Sequence, residues 1–269
     1  MTAPIVMTPR SARLKGRALL HPPPRKRGPA LVSAAATQPT SDGLDEGALF
    51  RLMAWLSPSY PVGAFSYSSG IEWAVEAGDV TDAPSLQAWL AAMVTEGSGW
   101  SDSVFFSAAH RALTGADDAA FVETAELAAA LVPSRERYLE TTTLGRAFIE
   151  VTRTAWPCES LDRLQTLWRG PVAYPVAVAA ACAGHAIVLR PALNAFVMAL
   201  VSNWVSAGLR LIPLGHTDGQ RLLSALAPTV AATAQKASAA ALQDVSSAAL
   251  RADIASAKHE TQYTRLFRS

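Results

Sequence analysis

From Asp45 onward, apolar side chains recur with the period of an α-helix, and no run alternates with period two for long enough to make a strand. After Pro84, the residues Leu86, Trp89, Leu90, Met93 and Val94 fall at i, i+3, i+4, i+7 and i+8, one continuous stripe. Asp82 is placed to cap that helix and Pro84 suits its first turn. Leu144, Phe148 and Val151 repeat the spacing after Pro133. Thr217 and Gln220 have capping-box spacing before a helix carrying Leu222, Leu223, Leu226 and Val230. Gly78, Gly115, Pro133, Pro157, Pro171, Pro191 and Pro213 punctuate these stretches. With 50% apolar and 17% charged residues, the pattern predicts an all-α fold, a single-domain bundle of about ten helices over residues 43–269.

The first forty residues differ in kind. They hold seven prolines and seven basic residues (Arg10, Arg13, Lys15, Arg17, Arg25, Lys26 and Arg27) with no acid. So little apolar surface cannot offset the entropy of ordering, so residues 1–42 are expected to form a disordered basic arm. The same Arg-rich, acid-free composition also suits an organelle transit peptide, whereas Leu19 and Leu20 do not make the apolar core of a secretory signal. The rest of the chain keeps 16 basic against 22 acidic side chains, a charge of −6. An acidic body argues against nucleic acid and for protein partners.

Residues 170–189 and 191–209 each lack interior charge for about a bilayer's width. Pro171, Pro175, Gly184 and His185 interrupt the first, and only Arg190 and Pro191 separate the two, too short a link for antiparallel spans. Core helices, and no membrane, are expected. Cys158 and Cys182 stand far apart outside any C-x-x-C pair, which suits free thiols in a reducing cytosol.

Enzyme chemistry is poorly represented. There is no G-x-x-x-x-G-K-[ST] loop to cradle phosphates and no G-x-S-x-G elbow. His21, His110, His185, His216 and His259 lack a His or Cys partner at the spacing that puts two ligands on one helical face, so neither a metal site nor a cofactor is expected. His185 reads as a hydrogen-bonded core histidine and His216 as a loop residue before a helix start. Glu72 and Glu76 share a helix face and read as a solvated or partner-facing edge rather than an acid–base pair. No catalytic residue is assigned. The alternative class is a small helical hydrolase using Ser66 or Ser68 in the 63–70 loop with a distant histidine.

The most unusual segment runs Ser57-Pro58-Ser59-Tyr60-Pro61-Val62-Gly63-Ala64-Phe65-Ser66-Tyr67-Ser68-Ser69-Gly70-Ile71-Glu72-Trp73. Its prolines and glycines stiffen and bend the backbone, and Tyr60, Phe65 and Tyr67 supply aromatic surface. Either it is a presented loop, or it is an interhelical turn whose aromatics fold inward. The tail is also weighty: Tyr263, Leu266 and Phe267 beside Arg265 and Arg268 suggest a docking element outside the core stripes, a frayed terminus being the plain alternative.

The 57–73 segment resembles the signature of the UreF family of urease accessory proteins, and the stretches Arg210–Gln220 and His259–Ser269 match the same family in the same order. His216 stands where that family commonly has Gln, and the arm lies outside its pattern. The resemblance implies an all-α, cytoplasmic protein that forms a homodimer, binds UreD (also called UreH) and recruits the nickel-carrying GTPase UreG, so that nickel reaches apo-urease. It implies an adaptor and regulator of the GTPase, with metal handling and hydrolysis left mainly to partners. The family's aromatic docking loop maps onto Tyr60, Phe65 and Tyr67, with Phe65 the foremost contact, and its tail arginine onto Arg265.

Overall fold

The computed structural model describes residues 44–269; the expected arm falls outside them. Eleven α-helices and no strand occur among the described residues, one helix more than the periodicity suggested. In chain order they are α1 (Glu46–Trp55), α2 (Ile71–Glu76), α3 (Ala83–Glu96), α4 (Ser98–Thr114), α5 (Asp118–Ala130), α6 (Arg135–Ala155), α7 (Glu159–Leu167), α8 (Tyr174–Gly184), α9 (Leu189–Leu211), α10 (His216–Ala239) and α11 (Leu250–His259). Single 3-10 turns occupy Ala64–Ser66 and Leu242–Asp244.

Local chemistry sets the helix starts. Asp45, Asp117 and Ser134 each accept a backbone N–H two or three residues into the following helix, and Asp82 with Ser85 forms a reciprocal capping box at α3. Helix α10 corrects the reading of Thr217 as its cap. It begins at His216, and the carboxylate of Asp218 accepts from the N–H of Gly215 at 3.1 Å. An aspartate in the first turn is the stronger acceptor there, and it also suits the helix dipole.

The apolar stripes meet around α8. Every residue from Tyr174 to Cys182 is buried, and small alanines let α4, α6 and α7 pack closely around it. Leu86, Leu90, Met93 and Val94 of α3, Leu144 and Phe148 of α6, and Leu222, Leu226 and Val230 of α10 are buried as their spacing required, while Trp89, Val151 and Leu223, at the edges of the same stripes, are half-buried. Helix α8 is 11 residues long, too short to span a bilayer. Helix α9, with 23 residues, is long and apolar enough by length and composition, and its Leu193, Phe196, Val197, Val201, Trp204 and Val205 are packed inside the bundle. Cys182 is buried and Cys158 half-buried, both as free thiols.

Candidate partner-docking site

Between α1 and α2 the signature segment does two things at once. Tyr60 turns inward, its hydroxyl 2.8 Å from Thr152 Oγ1 and its ring 5.5 Å from that of Phe148, and burial pushes its phenol pKa up. Tyr67 is buried as well. Phe65 lies between them on the Ala64–Ser66 turn, entered through Gly63 at φ +80°, and remains 63% exposed. Of the three aromatics expected to face a partner, the fold presents Phe65 and folds in the other two.

Beyond Tyr67 the backbone becomes constrained. Ser69 adopts φ +54° and Gly70 φ +84°. A Cβ at Gly70 would lie 2.7 Å from the backbone nitrogen of Ser256, so the glycine admits both the left-handed turn and the close approach of α11. The buried Ser69 hydroxyl donates to Glu140 at 3.0 Å and accepts from Trp204 Nε1 at 2.9 Å. That network holds the strained residue in place.

The C-terminal segment then crosses this surface. Leu266 and Phe267 donate their backbone N–H groups to the two carboxylate oxygens of Glu72 at 2.6 and 2.9 Å. Arg268 N–H donates to Ser66 O at 2.8 Å, and Ser68 N–H to Ser269 O at 2.6 Å, so tail and signature loop run side by side through two backbone bonds. Ser269 also donates its hydroxyl to Glu140, and Gln262 donates to Glu76. His259, fully buried at the end of α11, places Nδ1 2.5 Å from Glu136 and Nε2 3.0 Å from Glu72, while Arg265 reaches the other oxygen of Glu136 at 2.7 Å. Both ring nitrogens face carboxylate oxygens, so these contacts need a proton on each nitrogen or on one carboxyl. Phe267 is buried beneath Arg210, whose guanidinium lies 4.1 Å from its ring centroid and also donates to Phe65 O.

Two expectations are thereby corrected. The tail does not lie outside the core: Gln262, Phe267 and Ser269 are buried in it. Glu72 is not a solvated edge but a buried acceptor, because α2 is only six residues long and α11 covers its face. Tyr263 and Leu266 point away from the body, the first fully exposed and the second 64% exposed. Sequence reasoning passed over Glu136, Arg137 and Glu140, although charged residues at i and i+4 within the apolar period of α6 were a usable signal.

Deeper in, Arg137 bridges Glu140 at 2.7 Å and Asp102 at 3.2 Å. Burial pushes the Asp102 carboxyl up to about 6 despite the attraction of Arg137. Burial pulls the guanidinium down, but its two carboxylates outweigh that and hold it above its ordinary value. The Ser68 hydroxyl donates to the carbonyl of Ser269, Ser69 to Glu140, and His259 is held by two carboxylates. None of these forms the serine–histidine pair that a hydrolase reading requires. Among the described residues no three His, Cys, Asp or Glu side chains are grouped to hold a metal.

Residues 80–227 match the family model described as UreF. Relatives named urease accessory protein UreF align over most of their length: 59% identity with that of Rhodopseudomonas palustris strain HaA2 over 84% of this chain and 95% of the relative, and 58% with that of Bradyrhizobium sp. strain BTAi1 over 88% and 97%. A third, from Rhodopseudomonas palustris strain BisB18, is 60% identical over 82% and 92%. The chain belongs to the UreF family. The UreF family-model match spans α3 through the first half of α10, so it rests on the helical core and not on the signature loop or tail.

Proposed function

We propose that this chain is a non-catalytic urease accessory protein, an adaptor that joins UreD (UreH) and the GTPase UreG in the complex that delivers nickel to apo-urease, and that it regulates the GTPase. The observation that carries the reading is the composite surface of Phe65, Tyr263 and Leu266, three large side chains left outside while Glu72 holds the tail backbone beneath them and Glu136 and Glu140 hold the side chains of Arg265 and Ser269. Holding apolar and aromatic groups in water on a rigid base costs solvation, and a partner surface recovers it. Arg265 and Arg210 border this patch, and the half-buried Tyr60 with the buried Tyr67 and Phe267 supports it from within.

Homodimer formation is supported by α1. Leu49, Phe50 and Met53 are exposed large side chains on one face of that helix, with Phe50 leaning on Trp156 at 6.1 Å. A cytoplasmic setting is supported by the two free thiols.

Mixing the purified chain with UreD and then UreG tests the reading. A comigrating ternary species that dissociates with GTP is expected, with no turnover by the chain alone. Failure of the chain to bind either protein would overturn the proposal.

A further inference from the structure

A second feature lies away from the loop and tail. A cavity of about 340 Å³ opens between the first half of α4, the α5–α6 turn and the segment leading into α11. Phe105, Leu131, Val132 and Val245 contribute apolar wall, and Asp102 and Arg137 line it as buried charged residues. We propose that this cavity binds a primary ammonium group carried on a short apolar stem, with Asp102 as its acceptor.

The charge balance points to a cation. Arg137 is shared between two carboxylates, and its shorter bond goes to Glu140 rather than to Asp102. Asp102 uses only Oδ2 for Arg137, and among the described residues no hydrogen bond reaches its Oδ1. A third carboxylate, Asp253, lines the cavity with Ser247 as its donor. Two buried carboxylates against one guanidinium leave an excess negative charge, and burial of Asp102, with a smaller push from Glu140, drives its carboxyl upward even beside an arginine.

Other ligand classes fit less well. An anion meets Asp102 and Asp253 together. A neutral alcohol supplies one hydrogen bond and leaves the excess charge standing. A bare divalent ion requires six or so oxygen ligands at short range, and no such group of side chains exists among the described residues. An alkylammonium supplies N–H donors and a positive charge to Asp102, while its methylenes lie along the apolar walls, as lysine stems do elsewhere. Its source is either a lysine of a partner protein or a free amine.

Calorimetric and NMR titration of the full chain with n-butylammonium, butyrate and n-butanol at constant ionic strength decides the matter. Millimolar affinity for butylammonium is expected, given so few atoms, with butyrate and butanol weaker by roughly tenfold or more. Affinity falls about tenfold from pH 7 to pH 5 as the Asp102 carboxylate takes up a proton. Asp102→Asn abolishes binding, and Ser246→Trp, at the exposed mouth, does so without touching the charged network; both variants are checked by circular dichroism melts. A lysine-containing pentapeptide binding roughly tenfold tighter than butylammonium assigns the site to a partner's lysine, and equal affinity assigns it to a free amine. Equal binding of all three small probes, absence of any binding, or full retention of binding in a folded Ser246→Trp variant overturns the proposal.

Discussion

His259 Nε2 lies 3.0 Å from Oε2 of Glu72, a residue 187 positions earlier in the chain. The same carboxylate receives the N–H groups of Leu266 and Phe267, so one side chain on α2 fixes both the end of α11 and the tail that follows. Glu72→Ala leaves His259 Nε2 and the two tail amides without their acceptor, while Glu136 keeps His259 Nδ1 and Arg265. A loss of about 3–5 kcal/mol in unfolding free energy is expected, measured by denaturant titration. A loss below about 1 kcal/mol would show that this carboxylate does not hold the tail.

Deleting residues 258–269 is expected to cost both binding and stability. Phe267 alone contributes roughly 1.5–3 kcal/mol of burial, and the tail also satisfies Ser66, Ser68 and Glu140. A drop of about 4–6 kcal/mol in stability, at least that of Glu72→Ala, should accompany, under the adaptor reading, loss of UreD binding. Phe65→Ala separates the two effects: its exposed ring should leave stability within about 0.5 kcal/mol. It should weaken partner binding by roughly ten- to hundredfold in pull-down or calorimetry.

Arg265→Ala removes an ion pair whose arginine is 40% exposed. Solvent screening limits its share of stability to less than about 1 kcal/mol. Under the adaptor reading its main effect falls on UreG recruitment, through lost charge-assisted hydrogen bonds. A normal melt with reduced UreG capture is the expected pair of results.

Phe50→Glu places a charge on the exposed face of α1. Light scattering of the purified variant should report a monomer where the parent reports a dimer, with an unchanged helical spectrum. A parent that is monomeric at every concentration would remove the role given to α1.

Asp102 sets a pH dependence. Its pKa is pushed by burial from the ordinary 3.8 to about 6, so the folded protein holds a proton there that the unfolded chain releases. Stability from this group is therefore full below about pH 4 and is lost as pH rises through about 6. Relative to Asp102→Asn, in which no charge forms, the parent's unfolding free energy should fall by roughly 2 kcal/mol between pH 4 and pH 7.5 and stay level above that. Parallel denaturant titrations across that range check both the sign and the size.

The chain's own order determined its helices. Periodic apolar residues and local caps such as Asp82 act within a turn or two, so the stripes of α3, α6 and α10 and the capping of α3 were legible without coordinates. The signature and tail were legible as motifs, and the family resemblance they carry singled out Phe65. What each side chain faces was decided only by tertiary packing. Nothing local distinguishes Phe65 from Tyr67, one exposed and one buried, or a solvated Glu76 from a buried Glu72. His259 read as isolated because its partners, Glu72 and Glu136, lie 187 and 123 residues away, and no period or spacing rule extends across such distances. Periodicity reports which face of an element is apolar; which distant element closes over that face, and which polar groups it traps there, follows from how the whole bundle packs.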